Sequence, residues 1–233
     1  MPVKRPLPLI QVFELLYAAY GPLHWWPAEA PFEVCVGAIL TQNTAWTNVE
    51  KAIAALKDAG IMSPESVRGC PTEQLAALIR PAGYFNVKSC RLKEFANWLF
   101  QRHDGSLERM FSGDWHHLRP ELLNVRGIGP ETADSILLYA GSKPTFVVDA
   151  YTRRLFHRLG WLPADAGYDR TRLFFMEQLP AEVQLFNEYH AQIVEQCKRF
   201  CRVRPLCNDC PLLLHCPRTG LAGRPSHEKN SRT

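Results

Sequence analysis

No apolar run in the 233 residues approaches the roughly 20 that a membrane-spanning helix needs, which sets the transmembrane class aside. Met1 to Leu9 carries basic residues but neither a long apolar core nor a small-residue cleavage site, so no secretory leader is expected. Alternating apolar–polar stretches of strand length are missing, and so is any internal repeat. The excess of basic over acidic residues, 27 against 23, is small as well. A formal net charge of +4 and a pI of about 8.6 permit a polyanionic partner without requiring one, because the distribution of charge matters more than its sum. A cytoplasmic protein is expected, associated with the nucleoid if its partner is DNA.

What the chain has is helix. Hydrophobic residues make up 46%, enough for one large domain or two smaller cores. Gln11 to Tyr20 places Val12, Leu15, Leu16 and Ala19 on one stripe, and Trp46 to Ala59 is amphipathic. Pro31-Phe32 opens an apolar segment, Val34 to Leu40, that reads as a buried helix. Ser63-Pro64-Glu65-Ser66 and Pro71-Thr72-Glu73-Gln74 look like helix starts, with a hydroxyl near the cap and an acid in the first turn. Further helices are expected over Val87–Gln101, Pro130–Ala140, Ala150–Leu159, Thr171–Gln178 and Leu185–Cys197. The polar tail at 222–233 is expected to be disordered.

Three stretches carry chemistry. In the first, Leu122 to Ala133, a helix ends, a Gly127-Ile128-Gly129 turn follows, and Pro130 opens a new helix, where its missing N–H costs nothing. Both glycines are expected to permit positive φ and close backbone approach. The exposed amides at the new N-terminus suit an anion, with Leu123, Val125 and Ile128 pinning the two helices, so the turn reads as a phosphate clamp or as an ordinary helical corner. In the second, Asp149 follows the apolar Phe146-Val147-Val148 at a helix start, which is an N-cap signature. In the third, five of the eight cysteines crowd into residues 197–216. A reducing compartment favours metal over disulfides there. The spacing Cys201-x5-Cys207-x2-Cys210-x5-Cys216 supplies four thiolates for tetrahedral zinc or for an iron–sulfur cube, and does not choose between them.

Taken together, the Gly-x-Gly turn, the Val147-Val148-Asp149-Ala150-Tyr151-Thr152-Arg153-Arg154 run, Phe32 to Ala54 and the cysteines resemble the endonuclease III superfamily of helix-hairpin-helix DNA glycosylases, over about residues 20–217. The resemblance implies an all-α protein of two helical lobes with a DNA cleft between them. An N-terminal helix (1–26) would pack on the second lobe. A six-helix barrel domain (27–143) would carry the hairpin at 122–133, and a C-terminal domain (144–221) a [4Fe–4S] loop at 201–216. It implies Asp149 as the catalytic carboxylate at the mouth of the base pocket, and Cys201, Cys207, Cys210 and Cys216 as cluster ligands. The first cysteine gap is one residue shorter than the family's, which makes Cys197 an alternative ligand to Cys201. It also implies that double-stranded DNA with damaged bases is the partner, that no membrane is involved and that the protein is a monomer. DNA contacts are expected from Gln42, Asn43, Lys88, Arg126, Gly127, Ile128, Gly129 and Arg202, with Gln42 filling the space left by an extruded base. Tyr84 and Asn86 belong to the same expected DNA-facing loop as Lys88.

Three positions narrow the substrate. Strand-cleaving members carry a lysine two residues after the second hairpin glycine, which forms a Schiff base with the sugar; here it is Glu131. Adenine-specific members carry a glutamate where this chain has Ala38. His24-Trp25-Trp26-Pro27 and Thr41-Gln42-Asn43-Thr44-Ala45-Trp46 resemble the endonuclease III-like 3-methyladenine DNA glycosylases, which implies that Trp25, Trp26, Pro27 and Trp46 line a base pocket. The expectation is a monofunctional alkylpurine DNA glycosylase. The competing readings are an endonuclease III-like enzyme for oxidised pyrimidines or mismatched bases with weak lyase activity, and a non-catalytic DNA-binding protein.

Overall fold

The computed structural model describes residues 7–221; residues 1–6 and the tail expected at 222–233 lie outside them. The described residues contain helices and no strand, in line with the all-α expectation. None of these helices is long and apolar enough to cross a membrane. In chain order they are α1 (Leu9–Tyr20), α2 (Pro31–Leu40), α3 (Trp46–Asp58), α4 (Pro64–Gly69), α5 (Thr72–Leu78), α6 (Phe85–His103), α7 (Leu107–Ser112), α8 (Trp115–Leu123), α9 (Pro130–Ser135), α10 (Ala150–Arg158), α11 (Tyr168–Gln178) and α12 (Val183–Arg199). A single 3-10 turn, Arg80–Ala82, precedes α6. Of the described residues, 24–147 and 180–188 form one compact unit, and 7–23, 148–179 and 189–221 form another.

In the first unit, α2 is buried from Phe32 to Leu40, which explains its unbroken apolar run. Helix α3 buries Val49, Ala52, Ile53 and Leu56, one helical stripe. Ser63 caps α4 reciprocally with Ser66: the Ser66 amide donates to Ser63 Oγ at 3.1 Å, and the Ser63 amide to Ser66 Oγ at 3.0 Å. Helix α5 starts differently from expectation. Pro71 stands at its cap position with no side-chain hydrogen bond, and Thr72 is already helical. Helices α7 and α8 have weak sequence signals: α7 buries only Met110, and α8 carries Pro120 inside it. The helix expected over Pro130–Ala140 is α-helical only to Ser135. It then widens into a π turn, Ile136–Ala140, ending at Gly141, where an added Cβ would lie 2.5 Å from the Phe111 ring.

Asp134 ties this region together. It is fully buried and receives both forks of Arg119, Nε and Nη2 each at 2.9 Å, plus the Thr145 hydroxyl at 2.7 Å. A bidentate guanidinium–carboxylate pair with a third donor satisfies a charge that burial would otherwise forbid. It fastens α9 to α8 and to the segment 143–147.

The second unit packs aromatic rings. Phe156, Phe175 and Tyr189 meet with centroid separations of 4.7, 5.8 and 6.2 Å. Helix α1 buries Leu9, Val12 and Leu16 and sets the Phe13 ring 5.2 Å from that of Tyr189, whose hydroxyl donates to the Leu9 carbonyl at 2.7 Å. Gln192 Nε2 donates to the Gly21 carbonyl at 2.7 Å, and Trp161 Nε1 to the Leu7 carbonyl at 3.1 Å.

Removing one partner of the Arg119–Asp134 pair strands a buried charge. Asp134→Ala is therefore expected to lower unfolding stability by about 3–5 kcal/mol in denaturant titration. A loss below about 1 kcal/mol would show that Arg119 finds other solvation.

Candidate functional site

Asp149 opens α10 in extended conformation and does two things at once. Its Oδ1 accepts the Thr152 amide at 2.7 Å and the Thr152 hydroxyl at 2.9 Å, so it is the N-cap that its position suggests. Its Oδ2 faces His190 Nε2 at 3.6 Å, an ion pair when the imidazole is protonated. The side chain is 15% exposed. Burial pushes the carboxyl's pKa up, but the facing His190 and the two Thr152 donors outweigh it. The net result lies below the ordinary 3.8. His190 is a partner that sequence reasoning missed, because nothing in a linear pattern joins the middle of α12 to the start of α10.

The aromatic residues come together in the first unit. Trp26 meets Trp46 edge-on at 4.8 Å, Trp25 edge-on at 6.0 Å and Tyr139 at 5.1 Å and 36°. Pro27 is exposed beside them. Tyr139, carried on the π turn, has no motif of its own in the sequence. Gly37 on α2 admits Trp26: a Cβ there would lie 3.0 Å from the indole Cζ2. The Trp46 indole N–H donates to Glu50 at 2.9 Å. Ala38 is buried and offers no proton donor.

The Gly-x-Gly turn has unequal glycines. Gly127 has φ +90° and abuts Arg91, whose Cγ would be 2.4 Å from an added Cβ. Gly129, expected to need the same freedom, has φ −92° and ψ 176°, ordinary extended backbone; no atom lies within 4 Å of a Cβ placed there. It stands immediately ahead of the first amides of α9. Val125 and Ile128 are buried as pins, and Arg126 is exposed.

Gln42 is drawn onto this turn. Its Nε2 donates to the Gly127 carbonyl at 3.2 Å and to the Thr132 hydroxyl at 2.9 Å, and its Oε1 accepts from Arg91. Both ends of the amide are engaged inside the protein, whereas Asn43 is exposed at φ 54°. Lys88 corrects the expectation made for it. Its side chain is 1% exposed, and its amine donates at 2.8 Å to each of the Leu40 carbonyl, the Thr44 hydroxyl and the Ala82 carbonyl. It is not available to a phosphate. Burial, helped by Arg91, lowers its pKa to about 8.

Cys201, Cys207, Cys210 and Cys216 line one cavity together with Leu155, Phe200 and Leu212. Arg158 Nη1 donates to Cys201 Sγ at 3.2 Å and Gln196 Nε2 to Cys210 Sγ at 3.1 Å, contacts that favour thiolate. The Cys197 thiol, then Arg158, holds Cys201 down at about 6 against its burial. Among the described residues, no three His, Cys, Asp or Glu side chains are placed to hold a metal ion. Four cysteines lining one cavity are a donor set that tetrahedral zinc or an iron–sulfur cube could take. Cys197 is absent from that lining; its thiol lies 3.6 Å from the Tyr151 carbonyl. Arg202 is exposed beside the loop, its Nε donating to the Lys198 carbonyl at 2.7 Å.

Residues 36–181 match the family profile of the HhH-GPD superfamily of base excision DNA repair proteins. A Methanocaldococcus jannaschii protein, named provisionally as a DNA repair glycosylase, is 45% identical over 210 residues, covering 89% of this chain and 95% of its own. Endonuclease III of Thermotoga maritima is 29% identical over 187 residues, covering 80% of this chain and 82% of its own. Among solved structures, the H. pylori 3-methyladenine DNA glycosylase bound to 1,N6-ethenoadenine superposes with a TM-score of 0.73 at 29% identity, over 81% of this chain and 96% of that one. An endonuclease III–DNA covalent intermediate gives 0.78 at 22% identity, over 91% and 97%, a likeness of fold.

A depressed carboxyl pKa adds stability that is present above the unfolded-state value near 3.8 and is lost as pH falls through the folded value. NMR titration of the Asp149 carboxyl is expected to place its midpoint below 3.8. A midpoint above that would mean that desolvation outweighs His190 and Thr152.

Proposed function

Because the chain belongs to the HhH-GPD superfamily of base excision DNA repair proteins, we propose that it is a monofunctional DNA glycosylase that removes alkylated purines of the 3-methyladenine type. The observation that carries this reading is the gathering of Trp25, Trp26 and Trp46, with Tyr139 behind Trp26. An N-alkylated purine is cationic, and aromatic faces attract cations through their quadrupoles. Such a base leaves readily, so no strong general acid is needed, which fits Ala38. The likeness to a 3-methyladenine glycosylase holding a modified base supports the same substrate class.

In this reading the hairpin amides around Gly127, Ile128 and Gly129, with Arg126, take DNA phosphates without reading sequence. The damaged nucleotide turns out of the stack, at a cost that weak pairing reduces. Aromatic rings receive the base. Asp149, ionised at neutral pH, stabilises positive charge developing on the sugar and orients the attacking water. Glu131 is exposed and has no amine, so no Schiff base forms and the strand stays intact. Asn43 is the residue offered to the duplex, and Gln42 braces the hairpin behind it. Arg202 adds a phosphate contact beside the cysteine loop.

Cys201, Cys207, Cys210 and Cys216 would hold a [4Fe–4S] cluster, with Arg158 and Gln196 donating to two of the sulfurs. Such a cluster supplies a covalent cross-link for the loop and a redox-capable iron centre. The protein would act as a monomer.

Methylated duplex DNA incubated with the protein is expected to release free 3-methyladenine or 7-methylguanine. Asp149→Asn should slow release by about a hundredfold or more while keeping DNA affinity. Borohydride should trap no covalent protein–DNA adduct. Activity confined to oxidised pyrimidines, or efficient trapping, would replace this reading with an endonuclease III-like one. Iron and sulfide analysis tests the cofactor: wild type should contain both, and Cys207→Ser should lose them. A protein that carries zinc instead would refute the cluster.

A further inference from the structure

Lys88 is a buried cation whose three hydrogen-bond partners are all neutral oxygens, each from a different place in the chain. Leu40 ends α2, so its carbonyl is one that the helix itself leaves unsatisfied, at the negative end of the helix dipole. Thr44 lies in the turn between α2 and α3. Ala82 ends the 3-10 turn before α6. The Thr44 hydroxyl donates in turn to the Ala82 carbonyl at 2.5 Å, leaving a lone pair to accept from Lys88. Three ammonium protons meet three acceptors, and no donor is wasted.

Each of the two turns so joined carries an exposed non-glycine residue held in the left-handed region. Asn43 has φ 54°, and Tyr84 has φ 47° and is 69% exposed. A left-handed asparagine or tyrosine costs backbone energy and persists where surrounding bonds hold it. Gly83 precedes Tyr84 at φ +67°, a conformation that favours glycine; a Cβ there would make only ordinary contact with the Thr44 hydroxyl, at 3.8 Å.

We propose that Lys88 is a positioning residue that staples the Thr41–Ala45 turn to the Arg80–Tyr84 turn, making Asn43 and Tyr84 one rigid edge that meets the duplex. Lys88 touches no DNA in this arrangement; it acts through the turns it joins. The inference rests on the reading that the Asn43 turn faces DNA.

The test is fluorescence anisotropy with a duplex carrying an abasic-site analogue, over a range of salt concentrations, for Lys88→Met, Asn43→Gly, the double variant and Arg126→Ala. Lys88→Met is expected to weaken binding by about tenfold, the scale of one charge-assisted hydrogen bond. Its salt slope should stay at the wild-type value, whereas Arg126→Ala, which removes a phosphate contact, should lower the slope by about one. The double variant should bind little worse than the weaker single one, because both changes disable the same edge. A slope loss like that of Arg126→Ala, additive effects, or unchanged affinity for Lys88→Met would each overturn the proposal. If Asn43→Gly alone leaves affinity intact, the DNA-facing reading of the turn fails and takes this inference with it. Circular dichroism checks folding. Should Lys88→Met fail to fold, Thr44→Val, which removes one of the three acceptors, takes its place under the same criteria.

Discussion

A helix of six residues leaves most of its backbone groups unsatisfied, because the first four N–H and last four C=O groups have no partner within it. Helices α4, α7 and α9 are that short. An all-helical chain assembled from such pieces depends on groups elsewhere that meet its helix ends. Ser63, Ser106, Asp114 and Asp149 do so at N-termini from within the local sequence. At C-termini and turns the partners come from far along the chain: Lys88 to Leu40, Gln42 to Gly127, Gln192 to Gly21. Much of the polar inventory that resembles a binding surface in one dimension is used to close helices in three.

That constraint also shapes the chemistry. Asp149 caps α10 with one oxygen and keeps the other toward His190, so its rotamer is held by the Thr152 donors. A carboxylate held in place and kept ionised can stabilise developing positive charge without reorganising. The hairpin shows the same economy. Gly127 is needed for a positive φ and for room beside Arg91. Gly129 is ordinary extended backbone with no atom within 4 Å of a Cβ placed there, so packing does not require glycine at that position.

The all-α class, most helix boundaries to within a few residues, the hairpin, the Asp149 cap and the four-cysteine loop were legible in the sequence, because each rests on local rules: apolar period, Pro and Gly placement, capping chemistry and ligand spacing. Where a local signal was mixed the reading fell short: α7, with its sparse burial, was missed, and of α8, with Pro120 inside it, only the end before the Gly-x-Gly turn was read. Where the backbone departs from regular geometry, as in the π turn that carries Tyr139 to Trp26, composition has no signature for it.

The sequence by itself determined which residue types are available to the site: an aspartate at a helix start, three tryptophans, a hairpin without lysine and four spaced thiols. Only the tertiary structure decided which of them are free to act. Lys88 and Gln42 have the side chains of DNA contacts, yet their polar atoms are taken up by Leu40, Thr44, Ala82, Gly127, Thr132 and Arg91. His190 and Tyr139 carry no motif, yet stand against Asp149 and Trp26. The reason is that a buried polar group must be paired wherever the chain happens to bring a partner, and that pairing is a property of distance in space, not of spacing along the chain.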